Sequence, residues 1–115
     1  MKLVYPNRQI FMVEHRPDVQ RFVLVTPEGE ARLTYHLSGN VMDLASTFVP
    51  PAARGRGAAA QVIEAALKHA RAHNQQVVPT CWYAEEFITN HPEYRDLLEP
   101  VRGLSPDRTG ASCEI

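Results

Sequence analysis

The sequence predicts an α/β domain of the α+β kind: a mostly antiparallel sheet, one main helix after its fourth strand, and short helices after that. Three observations carry this reading. The first half of the chain alternates apolar and polar residues between turns bearing Gly and Pro, as antiparallel strands do. Residues 58–73 then switch to helical period. The 115 residues, 44% of them hydrophobic, suit one domain with a core of its own.

The elements follow in order. "RQIFMVEH" (8–15) is a candidate strand, closed by Arg16-Pro17-Asp18. "QRFVLVT" (20–26) is a second, rich in β-branched and aromatic residues. "PEGE" (27–30) is a tight turn in which Gly29 is free to take positive φ. "ARLTYHL" (31–37) alternates, with Leu33, Tyr35 and Leu37 on one face and Arg32, Thr34 and His36 on the other. After "SGN" (38–40), "VMDLASTFV" (41–49) is a fourth strand, stopped by Pro50-Pro51. In the helix, Ala59, Val62, Ile63, Ala66, Leu67 and Ala70 draw one stripe, Glu64 and Lys68 pair on the opposite face, and Asn74 is the expected stop. "QQVVPT" (75–80) is a short strand broken by Pro79. "CWYAEEFITNHPEYRDLL" (81–98) is one or two short helices divided at His91-Pro92. Residues 1–100 are expected to form the working domain and 101–115 a flexible C-terminal tail.

Bulk properties narrow the function. A formal charge of -1 gives no general attraction to nucleic acid or anionic membrane, so neither is expected as a partner. The start lacks the apolar core of a signal peptide, and no apolar run is long enough to span a bilayer. Cys81 and Cys113 lie far apart and make no disulfide framework. A cytoplasmic protein with reduced thiols, monomeric or a weak homodimer, is expected.

The most informative stretch is "VPPAARGRGAAAQVIEAALKHARAH" (49–73). Strand, Gly-rich turn and helix together make an anion cradle. The first N–H groups of a helix have no internal partner, its dipole adds positive charge, and glycines let a phosphate approach the backbone. Arg54 and Arg56 add charge-assisted donors. The helix opens Ala58-Ala59-Ala60 with no acid before Glu64, which leaves its start cationic for a ligand that brings the negative charge. The competing reading is a surface turn with solubilising arginines. The stretch has no Gly-Lys-Ser/Thr and no third glycine, so it is neither a Walker loop nor a dinucleotide fingerprint.

This stretch resembles the acetyl-coenzyme A motif of the GNAT acetyltransferases, Gln/Arg-x-x-Gly-x-Gly/Ala at the start of a long helix after the fourth strand. More narrowly, it is similar to the small, compact GNAT-like family of the YjdJ type. The carrying residues are Val49-Pro50-Pro51, Arg54-Gly55-Arg56-Gly57, Pro79-Thr80-Cys81-Trp82-Tyr83 and His91-Pro92-Glu93-Tyr94, over roughly residues 10 to 98. The resemblance implies a compact GNAT-like fold and an acetyl-CoA site. The pyrophosphate would rest on the backbone of Arg54, Gly55, Arg56, Gly57 and Ala58. The pantetheine arm would run beside Thr47, Phe48 and Val49, where the fourth and fifth strands splay, with Pro79 helping the splay and Cys81 near the thioester. Two positions depart from the pattern. Ala52 stands where Gln or Arg is usual, leaving Arg54 or Arg56 to compensate. "ASTFVP" stands where related small members carry a His and a Glu, so Ser46 and Phe48 replace a candidate base.

Acetyl transfer to an amine needs a base for the amine, donors for the carbonyl and a proton for the departing thiolate. Backbone N–H groups of the fourth strand would polarise the carbonyl, as the resemblance implies. Asp43, Glu85, Glu86 and His91 are candidate bases. Cys81 is a candidate nucleophile if its pKa is lowered at a helix start; its alternative is a buried structural thiol. Tyr83 is a candidate proton donor or a packing residue. Trp82, Phe87 and Tyr94 read as core or rim, and His15 and His36 as strand-face residues. His69 and His73 have metal-ligand spacing, but no acidic third ligand lies nearby and both suit a helix C-terminus. No metal is expected. The leading function is N-acetyl transfer from acetyl-CoA to an unidentified amine. A non-catalytic CoA or acyl-CoA-binding module and a protein-interaction domain are the alternatives.

Overall fold

The computed structural model describes residues 13–98 and 112–115. Its elements are β1 (Val13–Arg16), β2 (Arg21–Thr26), β3 (Gly29–Ser38), β4 (Val41–Phe48), α1 (Ala58–Ala72), β5 (Gln76–Val78), α2 (Trp82–Thr89) and β6 (Ser112–Glu114). Short 3-10 turns occupy Pro51–Ala53 and Pro92–Leu97. The sheet runs β1-β2-β3-β4-β5, antiparallel until β5 joins β4 in parallel through the α1 crossover. This is the α+β architecture that the alternating first half and helical second half predict. The expected first strand begins at residue 8; its part before Val13 lies outside the described residues.

Alternation decides which face of the sheet meets α1. Phe22 and Leu24, Ala31, Leu33 and Tyr35, and Met42 and Leu44 are buried with the helix stripe Val62, Ile63, Ala66, Leu67 and Ala70 in one core. The alanines let the helix approach the sheet closely. Leu37, expected on the core face, is 44% exposed near the end of β3. The alternation also breaks in β4. Tyr35 faces Leu44 while Thr34 faces Ser46, so Ala45 is an extra residue opposite the β3 ladder. Such a bulge restores the inward direction three residues on, which puts Thr47 in the interior at 2% exposure.

The far edge of β4 is divided. Its other edge is fully taken by β3. β5 pairs with β4 only from Val41 to Asp43, and the last contact on that side is the Cys81 N–H donating to the Leu44 carbonyl (2.8 Å). Pro79 has no N–H to continue the ladder, and Thr80 turns back through a bond to the Val78 carbonyl (3.1 Å). Ser46 to Phe48 is instead paired, in parallel, with β6. The expected flexible tail spans 101–115. Residues 101–111 lie outside the described residues, and Ser112–Glu114 is a strand on the backbone groups that β5 leaves open.

Candidate functional site

The site is built where β4 hands over to α1. Pro50 and Pro51 end the strand and start a 3-10 turn, with the Ala53 N–H donating to the Pro50 carbonyl (2.8 Å). Gly55 and Gly57 then take φ of 83° and 86°, the left-handed region where an L side chain is strained. Gly57 is the residue from which α1 starts. No side chain caps that start, and its first turn holds no acid. Arg54 Nε–H donates to the Val49 carbonyl (2.8 Å), which fixes the guanidinium against the end of β4.

A cleft of about 240 Å³ opens at this point. Val49, Arg54, Gly55, Gly57, Ala58 and Ala59 form one wall; Tyr83 of α2 and Ile115 complete it. The glycines leave open space where a Cβ would stand. Burial, and secondarily the nearby Glu86 carboxylate, push the Tyr83 hydroxyl above the usual tyrosine range, so it keeps its proton at neutral pH. A helix start without a side-chain cap, a fixed guanidinium and a protonated phenol can together receive an anionic group and give up a proton.

The other expected site residues lie elsewhere. Arg56 is 64% exposed and pairs with Glu28 of the β2–β3 turn (3.0 Å). Phe48 carries the Arg32 guanidinium over its ring at 4.6 Å. Thr47 is buried, with its hydroxyl 3.4 Å from the Cys81 sulfur. None of these three lines the cleft. Cys81 is fully buried and disulfide-bonded, which corrects the expectation of reduced thiols. With no S–H, its sulfur can only accept from Thr47. Ala59, which the sequence marks as part of the helix stripe, and Ile115 also line the cleft. Ala59 was legible as the next residue of the helix's first turn, whereas Ile115 depends on a pairing no local signal announces.

Among the candidate bases, Asp43 accepts from the Thr80 hydroxyl (2.5 Å), and His91 stacks on Phe87 (3.9 Å) with Nδ1–H on the Phe87 carbonyl (2.7 Å). Neither these two nor Glu85 or Glu86 lines the cleft. Phe87 and Tyr94 are core; Trp82 is 44% exposed. His69 stacks on His73 at 4.0 Å and meets His15 edge-on at 4.5 Å. His15 thus faces α1 and shares a 2.6 Å hydrogen bond with Tyr35. Among the described residues no group of three or more His, Cys, Asp or Glu is placed to hold a metal ion. Nor is any helix of the described residues long and apolar enough to cross a membrane.

A mostly antiparallel sheet that feeds a glycine turn into the open start of its main helix defines a class of compact α+β domains. The chain belongs to the GCN5-related N-acetyl-transferase family, whose model matches residues 21–97. It is also similar to Protein NATD1 of Bos taurus (37% identical over 73 residues) and to its counterparts in Homo sapiens and Gallus gallus (36% each). The match takes in 61% of this chain in each case, and 65%, 65% and 66% of the respective relatives, so it spans slightly under two thirds of their length.

Proposed function

We propose that this chain binds acetyl-CoA at the Arg54–Ala58 turn and transfers the acetyl group to an amine. The observation that carries the reading is the uncapped start of α1, opened by two left-handed glycines onto a cleft that Arg54 also lines. The donors suit a pyrophosphate: backbone N–H groups at a helix terminus, beside a guanidinium. The pantetheine arm lies along the β4 edge at Thr47 to Val49. Bound acetyl-CoA supplies an activated acyl carbon. The backbone of β4 orients and polarises its carbonyl, and Tyr83 holds the proton that a departing thiolate needs. A nucleophilic Cys81 requires its disulfide to be opened first. We place the activity in the cytoplasm, where the disulfide at Cys81 is exposed to reductants.

Thermal unfolding with acetyl-CoA, CoA and ATP tests the reading. A midpoint raised by both CoA species well above ATP is expected. No shift with any of the three would remove it. A non-catalytic CoA-binding module is the second reading, favoured by the absence of Asp43, Glu85, Glu86 and His91 from the cleft lining. CoA binding without thiol release in the presence of polyamine or lysine-peptide acceptors would select it.

A further inference from the structure

The glycine turn is tied to the sheet at two points. A chain that passes through Gly55 and Gly57, both left-handed, is held there weakly by its own preferences, because glycine has more conformational freedom to lose than any other residue. Each of these glycines follows an arginine, and each arginine reaches a different part of the sheet. Arg54 holds the Val49 carbonyl at the end of β4. Arg56, between the two glycines, donates from Nη1 to Oε2 of Glu28 (3.0 Å) in the β2–β3 turn, and it does not line the cleft. The β2–β3 turn is closed by Thr26, whose hydroxyl accepts from the Glu28 N–H (3.2 Å) and donates to the Gly29 carbonyl (2.7 Å). The same turn lies hard against the start of the loop, since a Cβ on Gly29 would stand 3.1 Å from Cγ of Pro50. The Glu28 side chain is 26% exposed, and its other oxygen, Oε1, is buried with no hydrogen-bond partner among the described residues. Water therefore does little for this carboxylate, and the Arg56 guanidinium is its counter-charge.

We propose that Glu28 is a positioning residue for the coenzyme turn: through Arg56 it holds Gly55 and Gly57 in the conformation that presents the start of α1 to the pyrophosphate. The inference rests on the acetyl-CoA reading, and it gives the two arginines different tasks. Arg54 lines the cleft, whereas Arg56 is 64% exposed outside it and fixes the turn. An ion pair so exposed on one side adds little to global stability. Its effect falls on the turn instead, because a loop ordered before the ligand arrives removes that ordering cost from binding. The charge of Glu28 gives the proposal a sign. A carboxylate near an anion site ordinarily opposes the anion, so neutralising it would tighten binding. A carboxylate that fixes the receiving turn does the reverse: neutralising it weakens binding even though a negative charge has been removed.

The test compares the full chain with Glu28→Gln, Arg56→Gln, Arg56→Lys and the double variant Glu28→Gln/Arg56→Gln. Acetyl-CoA affinity is measured by calorimetry. Amide order parameters of Gly55 and Gly57 are measured by NMR relaxation without ligand, and thermal unfolding checks that each variant keeps its fold. Glu28→Gln and Arg56→Gln are each expected to weaken binding about fivefold and to lower both order parameters, with the unfolding midpoint nearly unchanged. The double variant should bind no more weakly than either single one, because the same tether is lost in all three. Arg56→Lys, which keeps a cation for Glu28, should recover most of the loss. Equal or tighter binding by Glu28→Gln would overturn the proposal, as would unchanged order parameters. Additive losses in the double variant would put Arg56 on the ligand itself and overturn it too. Lower order parameters in the variants, with neither they nor the parent binding acetyl-CoA, would overturn the coenzyme reading while upholding the tether.

Discussion

The two ends of α1 are finished in opposite ways. At the C-terminal end every device that stabilises a helix is present. Asn74 takes the left-handed conformation (φ 56°), and the Gln75 N–H returns to the Ala70 carbonyl (2.8 Å), the pairing that closes a helix. Arg71 lies in the last turn, where the dipole favours cations, and reaches both carboxylate oxygens of Asp96 (2.9 and 3.0 Å) and the Glu93 carbonyl (2.7 Å). At the N-terminal end the corresponding devices are missing: no capping side chain, no acid, and a left-handed glycine in the capping place. One end is built for stability. The other leaves its backbone donors without a side-chain cap, the arrangement that the proposed anion site requires.

Changes at the two ends should therefore move binding and stability independently. The largest effect is expected from Gly57→Ala. A Cβ at φ 86° strains the backbone by about 1–2 kcal/mol, and it projects into the open space beside the turn. Acetyl-CoA binding should fall at least tenfold. An unchanged dissociation constant would mean that the turn holds no phosphate.

Ala60→Glu should separate the two properties by sign. An acid in the first turn of α1 stabilises the helix by about 0.3–1 kcal/mol. The same charge opposes an incoming phosphate, so affinity should drop about fivefold, equivalent to about 1 kcal/mol. Unfolding and titration read both quantities. If both rise together, the helix start is not the ligand's seat. Asn74→Ala is the converse at the other end. It forces alanine into the left-handed position at a cost of about 1 kcal/mol and should leave acetyl-CoA affinity as it was. A loss of affinity there would show that the two ends are coupled.

What could be read from the sequence divides along the same line. The α1 stripe, its stop at Asn74 and the glycine turn are encoded within a few residues of one another, where periodicity and backbone preference act directly. β6 and the disulfide at Cys81 are not. A three-residue strand has no period of its own, and it forms because Pro79 ends the β5 ladder and exposes an edge far away in the chain. A cysteine at the start of a short helix carries no spacing that announces a bridge. The inward turn of Thr47 was hidden for a related reason, since a single extra residue at Ala45 breaks the alternation that sequence reading relies on.

The smallest expected effect concerns the histidines at the closed end. Burial first, then the neighbouring His73, holds His15 below the ordinary histidine value of 6.5; burial, His73 and His15 do the same for His69. Both are therefore kept neutral in the fold while the unfolded chain protonates more readily. Their contribution to stability is complete above about pH 6.5 and is lost as pH falls through their lowered folded values. The unfolding midpoint should decline on acidification from pH 7 to 5, and His69→Gln should flatten that decline by removing one titrating ring and relieving its neighbour. Acetyl-CoA affinity of the folded protein should keep the same ratio between variant and parent across this range, because the cluster touches the helix far from Gly57. An equally steep decline in the variant would place the acid sensitivity elsewhere. A pH-dependent change in the affinity ratio would instead mean that protonation at the closed end of α1 is felt at the open one.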